Sequence, residues 1–401
     1  MSLKLICHSE AKPKNLSVRR DPSLSLRMTS ILLCTGLVLS FSGCKSQSNV
    51  VKIAVALPLT GDIGALGEGI RRAIQMAVDD HNASPASSPK IALAIYDDRS
   101  DPKEAVNVAN QIASDPSVVG VIGHFNSGCS IPTAPFYARA GLVVLSPAAS
   151  NPQLTLQQLS SQWRWPRTIF RVNTTDDVQG AVGAEFTRDK LKVKAVSVIQ
   201  DKTAYGQGVA EEFSKRFQAL GGEVLSFNGI QVGDKDFKAL LTRVKGEHPG
   251  AIYFGGMFSE GGFVVRQARE LGIKIPIVTD EANYDPEFLK IAGPAAEGCT
   301  VTFLGRPPDL MESAKAFINE YKTRYPGAEI KAYDHYGYEV AEILLEAIQH
   351  VGADRARIVD YVRHIHHHGV LGVTSFDEKG DTLNKTITLF TVKNGQFVPV
   401  E

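Results

Sequence analysis

The feature that most constrains the fold of this chain is a regular alternation of short apolar runs with longer amphipathic segments, which begins at residue 51. Residues 51–59 are almost wholly apolar and rich in β-branched side chains, a composition typical of a strand buried on both faces. Residues 67–83 then carry apolar side chains at helical spacing. Strands that alternate with helices pair in parallel and are covered by helices on both faces. The sequence therefore predicts an α/β protein.

The alternation comes in two series, and each is long enough to form its own sheet. The first series ends with a strand near residue 146, and the second begins near residue 170 and ends with a strand at residue 279. We therefore predict two doubly wound parallel-sheet lobes.

The C-terminal part of the chain breaks the alternation. Two helical stretches, 311–325 and 336–351, precede apolar runs at 386–392 and 396–400. An Asn-Gly pair separates these runs, and this pair is a strong signal for a tight hairpin turn. We expect the last two strands to be antiparallel.

Composition excludes two classes of protein. The chain has 401 residues with 43 Lys and Arg against 43 Asp and Glu, so it lacks the basic surplus that phosphate contacts require, and we expect no nucleic-acid partner. Apolar residues make up 43% of the chain, which argues against disorder over its whole length. No phosphate-loop or dinucleotide motif with the required spacing is present, and we expect no cofactor.

The first 50 residues have the organisation of an export signal. A basic stretch precedes an apolar run, residues 31–41, that is too short to span a bilayer permanently. The Phe-Ser-Gly-Cys segment that ends at Cys44 resembles the lipobox of bacterial lipoproteins, in which the signal is cut before a cysteine that carries lipid. We expect a leader over 1–43, lipidation of Cys44, a tether over 44–50 and an exported protein anchored to a membrane in the periplasm or at the cell surface. Cleavage nearby that leaves an ordinary cysteine is the alternative.

Cysteine and histidine patterns indicate neither a disulfide framework nor a metal site. Outside the leader and Cys44, only Cys129 and Cys299 remain, and a bridge between them stays open. No Cys-x-x-Cys pair is present. Four histidines between residues 364 and 368 could bind a metal, but a solvated turn is the favoured interpretation.

Polar groups follow three predicted strands at their carboxyl ends. Ser127 follows a strand of the first series, the next strand is followed by a loop that offers the Ala148 carbonyl and the Ser150 hydroxyl, and Glu281 ends a strand of the second series. Ligands bind beyond this edge of an open parallel sheet, where helix N-termini present free amides. Donors on one lobe and a carboxylate on the other match the two ends of a zwitterion. As the alternative, both serines serve only as helix N-caps.

Several segments together resemble a known family. Residues 51 to about 392 look like the branched-chain amino-acid type of periplasmic substrate-binding protein, the extracytoplasmic receptor of an ABC importer. Any one of these segments alone is weak evidence, but the order and spacing of all of them are specific to the family. The segments are residues 121–124, 146–152, 200–208, 233–237, 253–256, 266–269 and 376–381.

The resemblance implies a type I periplasmic binding fold, in which two lobes close on the ligand like a Venus flytrap. Three crossovers join the lobes, and we place them near Arg171, Gly305 and Val373. The resulting boundaries are 51–171 plus 305–373 for lobe 1 and 172–304 plus 374–401 for lobe 2.

The resemblance also implies roles for individual residues. Ser127 and the loop from Ala148 to Ser150 match groups that hold the ligand carboxylate. Glu281 matches the acid that holds the ammonium group with help from the same loop, and Tyr205 matches an aromatic residue that closes over the ligand.

Other positions depart from the family pattern. Met257 and Leu66 replace tyrosines that branched-chain receptors often present, so the identity of the ligand does not carry over. Asn126 occupies the position of a cysteine, so the family's disulfide in the first lobe is not evident. Tyr333 precedes a helix that should border the cleft and is a further ligand-binding candidate, with core packing as its alternative.

These observations predict a solute receptor and not an enzyme. We expect a monomer that binds a small neutral amino acid, most simply a branched-chain one, and delivers it to an ABC permease with its ATPase subunits. A sensor of amino acids, amides or urea coupled to a signalling partner is the alternative. A hydrolase built on Ser127 and His124 is less favoured, because no Gly-x-Ser-x-Gly elbow surrounds a serine.

Overall fold

A computed structural model of the protein describes residues 50–400, and it contains two separate parallel-stranded sheets flanked by helices. Cys44 and the predicted leader lie outside the described residues. The strands are β1 (Val50–Leu57), β2 (Lys90–Asp97), β3 (Val118–Gly123), β4 (Val143–Ser146), β5 (Ile169–Arg171), β6 (Ala195–Gln200), β7 (Glu223–Gly229), β8 (Ala251–Gly255), β9 (Ile277–Thr279), β10 (Thr300–Leu304), β11 (His367–Gly369), β12 (Gly372–Thr374), β13 (Ile387–Lys393) and β14 (Gln396–Pro399).

The helices fill the intervals between most of these strands, as the alternation predicts. The helices are α1 (Gly64–Ala83), α2 (Pro102–Ser114), α3 (Ser127–Arg139), α4 (Gln153–Leu156), α5 (Asp176–Glu185), α6 (Ala204–Ala219), α7 (Lys238–Gly246), α8 (Phe258–Glu270), α9 (Pro286–Ala292), α10 (Lys315–Arg324), α11 (Asp334–Val351) and α12 (Arg355–Arg363).

The first sheet has five parallel strands in the order β2-β1-β3-β4-β5. Its central strands are apolar along their whole length because helices cover both faces: α1 and α11 pack together on one side, and α2 and α3 pack together on the other. Strands with no solvated face cannot alternate apolar and polar residues, which is why they read as continuous apolar runs.

The second sheet has seven strands in the order β14-β13-β10-β9-β8-β6-β7. Strands β6 to β10 are parallel, whereas β13 pairs antiparallel with β10 and with β14. The predicted hairpin is therefore confirmed. Asn394 at its turn has a φ of 54° and Gly395 a φ of 71°, the left-handed conformations that the turn requires.

The α/β class with two doubly wound parallel-sheet lobes is confirmed, but some elements differ from the prediction. The sequence predicts α3 only from Ile131 onward, yet the helix begins at Ser127 and accommodates Pro132 and Pro135. Strand β10 and helix α9 were not predicted, and for α12 the sequence indicated only a helical segment before His364 without bounds. Each has ten or fewer residues, too few for a periodic pattern to separate it from a loop.

The chain crosses between the two sheets after β5, after β10 and before β13, and the lobe boundaries at 171, 305 and 373 remain a proposal. Strands up to Arg171 belong to the first sheet, and strands from Ala195 to Leu304 belong to the second. Helices α11 and α12 return to the first sheet, where Arg355 of α12 donates to the Val118 carbonyl at 2.9 Å.

The histidine tract is solvated at His364, His366 and His368, as the sequence favours, but not at His367. His367 is buried in β11, and its Nδ1 lies 2.7 Å from a carboxylate oxygen of Glu346. Nδ1 of His366 lies 2.9 Å from the Ser375 hydroxyl. The tract is partly structural because β11 pairs with β12 beneath α11.

Neither a bridge nor a metal cluster is found in residues 50–400. Cys129 and Cys299 are both buried and free. Burial raises the pKa of the Cys299 thiol to about 12, so this thiol stays protonated. No group of three or more His, Cys, Asp and Glu side chains in this part of the chain could hold a metal ion. Of its helices, none combines the length and the apolar character that crossing a membrane would need.

Candidate ligand-binding cleft

A narrow cleft lies at the carboxyl ends of the parallel strands of both sheets. This is the edge where the sequence predicts a ligand. The residues singled out from the sequence all line it; they are Leu66, Ser127, Ala148, Ser150, Tyr205, Met257, Glu281 and Tyr333. The structure therefore brings together side chains that are up to 267 positions apart in the chain (333 − 66).

Most of these residues reach the cleft by the same route, a short connection from the end of a strand to the start of a helix. Ser127 is the first residue of α3 after β3, and Tyr205 is the second residue of α6 after β6. Met257 precedes α8 after β8, and Glu281 follows β9. Because parallel strands end at one edge, side chains distant in sequence converge there.

One wall of the cleft offers hydrogen-bond donors without a basic side chain. No Lys, Arg or His is among the residues that line the cleft in the described part of the chain. The Ser127 hydroxyl accepts a hydrogen bond from the Asn151 amide at 3.2 Å, and its own proton remains available to a ligand. The first N–H groups of α3 lie beside it and have no partner within the helix. This wall suits a carboxylate held by hydroxyl, amides and helix dipole.

Hydrogen bonds from buried side chains fix the backbone of the loop that carries Ala148 and Ser150. Arg171 is fully buried, and its Nη1 donates to the carbonyls of Ala149 at 3.1 Å and Asn151 at 2.8 Å. Nδ2 of Asn173 donates to the Ala148 carbonyl at 2.8 Å. The loop conformation is therefore set by side chains at the first crossover.

The opposite wall is dominated by Glu281, which is 3% exposed. The Tyr205 hydroxyl donates to its Oε2 at 2.6 Å, and Gln179 donates to the same oxygen. The Tyr333 hydroxyl donates to Oε1 at 3.2 Å. Burial raises the pKa of Glu281, and these three donors oppose the rise. None of the three donors carries a positive charge, so a cation in the cleft would find an uncompensated carboxylate.

A second buried carboxylate, Asp176, lies at the start of α5 and was not predicted as a site residue. It is fully buried, and no hydrogen bond of standard geometry reaches either of its oxygens. Burial and the nearby Glu281 raise its pKa, while the neighbouring Ser150 hydroxyl lowers it. In sequence, an acid in the first turn of a helix indicates only a favourable dipole interaction. Its proximity to Glu281 is a tertiary feature.

The rest of the cleft is mainly apolar. Phe125 packs edge to face on Tyr333 with ring centroids 5.1 Å apart, and Leu66 and Met257 add aliphatic surface. One further acid, Asp285, also lines this region and was not predicted. Its position directly before Pro286 is typical of a helix N-cap, which hides any second role in the sequence.

The geometry does not supply the Ser-His pair that a hydrolase would need. Nδ1 of His124 lies 2.6 Å from Asp98, and its Nε2 lies 2.9 Å from the Tyr137 hydroxyl. Both ring nitrogens are therefore occupied away from Ser127, whose hydroxyl contacts the Asn151 amide. A serine nucleophile requires a base within hydrogen-bond reach, and among the described residues His124 does not fill that role.

Comparison with known proteins agrees with this architecture. A family model described as "Periplasmic binding protein" matches residues 50–396. A Leu/Ile/Val-binding protein homolog from Brucella suis is 37% identical over 352 residues, which cover 86% of this chain and 90% of the relative.

Two solved structures are also similar. A leucine binding protein from Thermotoga maritima has a TM-score of 0.79 and 33% identity, and the match covers 88% of this chain and 98% of that protein. A branched-chain amino acid transporter substrate binding protein from Streptococcus pneumoniae, solved with isoleucine, has a TM-score of 0.77 and 27% identity, with 88% and 100% covered. The chain belongs to the periplasmic binding protein family, and its fold is the type I periplasmic binding fold.

Proposed function

We propose that this protein binds a small neutral amino acid in the cleft between its two sheets and delivers it to an ABC permease with its ATPase subunits. The observation that carries the proposal is the opposition of two kinds of group across the cleft. Ser127 and the start of α3 offer donors on one side, and Glu281 offers a buried carboxylate on the other.

The energetics favour a zwitterion over a neutral solute of the same size. The ligand ammonium would pair with Glu281 and with the second carboxylate, Asp176, whereas the ligand carboxylate would meet Ser127 and the amides of α3. Each charge-assisted hydrogen bond contributes about 1.5 to 3 kcal/mol net. Two or three such bonds, together with burial of the ligand, suffice for a dissociation constant of about 1 μM, or about −8 kcal/mol.

The other proposed ligand contacts follow from the same geometry. The Ala148 carbonyl accepts one hydrogen bond from Asn173, and a carbonyl has a second lone pair for the ligand ammonium. Ser150 adds a hydroxyl, and Tyr205 and Tyr333 cover the bound molecule while they donate to Glu281. Leu66 and Met257 would contact the ligand side chain. The likeness to leucine- and isoleucine-binding proteins supports an amino-acid ligand.

Export and anchoring form a separate part of the proposal. The leader over 1–43 and the lipobox-like segment at Cys44 support a receptor tethered by lipid outside the cytoplasm, which we propose to be a monomer. Membrane fractionation tests the tether: the full chain should sediment with membranes, and the Cys44→Ser variant should be released. Retention of the variant on membranes would contradict lipidation.

The test of the binding site is calorimetric titration of the domain with a panel of neutral amino acids. Glu281→Gln keeps the shape of the side chain and removes the charge, so a ligand ammonium would lose its main partner. Breaking a buried pair costs about 3 to 5 kcal/mol, which predicts at least a hundredfold loss of affinity. Glu211→Gln, on the exposed face of α6, is the matched control and should bind like the parent protein. Equal affinity of Glu281→Gln and the parent would remove Glu281 from the site.

A further inference from the structure

A larger and more open cavity adjoins the inner cleft, and one acidic residue lines both. This outer cavity has a volume of about 540 Å³. Tyr284, Asp285 and Ala332 line both the inner cleft and the outer cavity, whereas Glu281 and Ser127 line only the inner one. Asp285 therefore belongs to the same cleft as the groups that would hold the charged ends of a ligand.

Asp285 has an oxygen that the fold itself does not use. The side chain is the N-cap of α9, and its Oδ1 accepts the amide of Glu287 at 2.8 Å. Its Oδ2 has no hydrogen-bond partner within residues 50–400. The residue is only 5% exposed, and burial raises the pKa of its carboxyl. Oδ2 is not among the buried side-chain atoms of residues 50–400 that lack a partner, so it keeps contact with solvent in the unliganded protein. A ligand that covered this oxygen would have to supply a donor in place of water.

The surroundings of Asp285 make this acceptor distinctive. Four other residues that line the inner cleft, Leu66, Met257, Ala282 and Ala332, offer no polar side-chain atom except the weakly accepting sulfur. Lys331 of the outer cavity lowers the pKa of Asp285 from a distance, but its Nζ pairs with Glu329 at 3.1 Å and makes no hydrogen bond to Asp285. Among the described residues that line the inner cleft, Asp285 is the one carboxylate besides Glu281.

We propose that Asp285 is a specificity-determining residue that makes the cleft prefer amino acids whose side chain ends in an N–H donor, an amide, ammonium or guanidinium group. This inference rests on the proposed binding of amino acids in the cleft and extends the range of ligands from neutral amino acids to those with a cationic side chain. An aliphatic side chain would bury Oδ2 without a partner, whereas a donor would satisfy it. A site built to hydrogen-bond a polar group discriminates strongly against an analogue that lacks it.

The experiment compares ligands of matched length by calorimetry. The pairs are lysine against norleucine and glutamine against methionine. The parent protein should bind the donor-ended member of at least one pair at least tenfold more tightly than its partner. In Asp285→Asn the amide oxygen can keep the N-cap, because Asn caps helices as well as Asp does. The Nδ2 group then faces the cleft and repels an N–H donor, so the preference should fall at least tenfold.

Two further variants serve as controls, and the outcomes distinguish failure of the Asp285 inference from failure of the proposed amino-acid binding. Asp101→Asn changes the N-cap of α2, away from the cleft, and should leave the preference as in the parent. Asp285→Ser also keeps a capping oxygen and should lose the preference without adding a donor. Aliphatic and donor-ended ligands that bind the parent equally, or a preference unchanged in both Asp285 variants, would overturn the inference while leaving amino-acid binding intact. Failure of every amino acid to bind the parent would instead overturn the proposed function.

Discussion

At the scale of single residues, the cleft gathers carboxylates in places where their charge is poorly compensated. Glu281 is contacted by three neutral donors, and Asp176 has no hydrogen bond of standard geometry. Desolvation is the largest cause of the raised pKa of both groups. A neighbouring acid, Asp280, accepts hydrogen bonds from the Gly256 amide and from Asn283, so its carboxylate is satisfied within the fold.

This arrangement predicts that ligand binding releases a proton at mildly acid pH. A carboxyl with a raised pKa is partly protonated in the empty cleft, whereas pairing with a ligand ammonium requires the charged form. Affinity should therefore rise with pH below the raised pKa of Glu281 and become constant above it. Calorimetry in buffers of different ionisation enthalpy measures the released protons, with Asp176 and Asp280 as the other acids that face Glu281. A pH-independent affinity between pH 4 and 7 would contradict the assignment of Glu281 to the ammonium.

At the scale of elements, the binding loop and the crossovers form one hydrogen-bonded unit. Arg171 pairs with Asp381 at 2.6 Å as well as with the loop carbonyls, and Nη2 contacts the Thr155 hydroxyl at 2.8 Å. Burial alone would raise the pKa of Asp381, but Arg171 outweighs it, and the pKa falls to about 2. The ion pair therefore joins Arg171, at the proposed first crossover, to Asp381, which follows the proposed third crossover near residue 373.

Two substitutions separate the ion pair from its effect on the loop. Arg171→Met should destabilise the fold by about 3 kcal/mol, because it removes the fully buried cation that faces Asp381. The carboxylate keeps only the Lys379 ammonium at 3.0 Å and the Thr155 hydroxyl at 2.8 Å. The double variant Arg171→Met with Asp381→Asn should recover much of this stability but remain about tenfold weaker in ligand binding, since the carbonyls of Ala149 and Asn151 have still lost their donor. Thermal unfolding and calorimetry measure the two effects. Full recovery of affinity in the double variant would show that Arg171 stabilises without positioning the loop.

At the scale of the whole molecule, residues that lie beside the first sheet form hydrogen bonds across the cleft with residues that follow strands of the second sheet. Nδ2 of Asn151, on the loop after β4, donates to the Ala204 carbonyl at the start of α6 at 2.6 Å. Tyr333 makes a second contact of this kind with Glu281. Gly208 permits the first contact, because a Cβ at that position would lie 2.5 Å from Nδ2 of Asn151. These hydrogen bonds can exist only when the two halves are close together.

We expect Asn151 to favour the closed arrangement. Asn151→Ala removes one interlobe hydrogen bond, worth about 1 kcal/mol net, and should weaken binding about fivefold. Asn151→Asp keeps the acceptor that Gln153 uses but places an oxygen against the Ala204 carbonyl, so its effect should be larger. Small-angle scattering with and without ligand, together with calorimetry, tests this. Wild-type affinity in both variants would exclude a role for the contact in closure.

The sequence by itself determined the class of fold and the edge of the sheets where a ligand would lie. Both follow from local rules, because buried parallel strands need continuous apolar runs and their carboxyl ends meet at one edge. Ser127 and Glu281 could be named for that reason. Tyr205 was named only from the family resemblance, which also set the proposed roles of all three residues.

Only the tertiary structure decided what else surrounds the cleft. Asp176 and Asp285 look like ordinary first-turn and N-cap residues, and Arg171 looks like any basic residue after a strand. Their significance depends on burial and on partners many residues away, and neither is encoded in local periodicity. The same limit applies to β10, whose five residues become a strand only because β9 and β13 lie on either side of it.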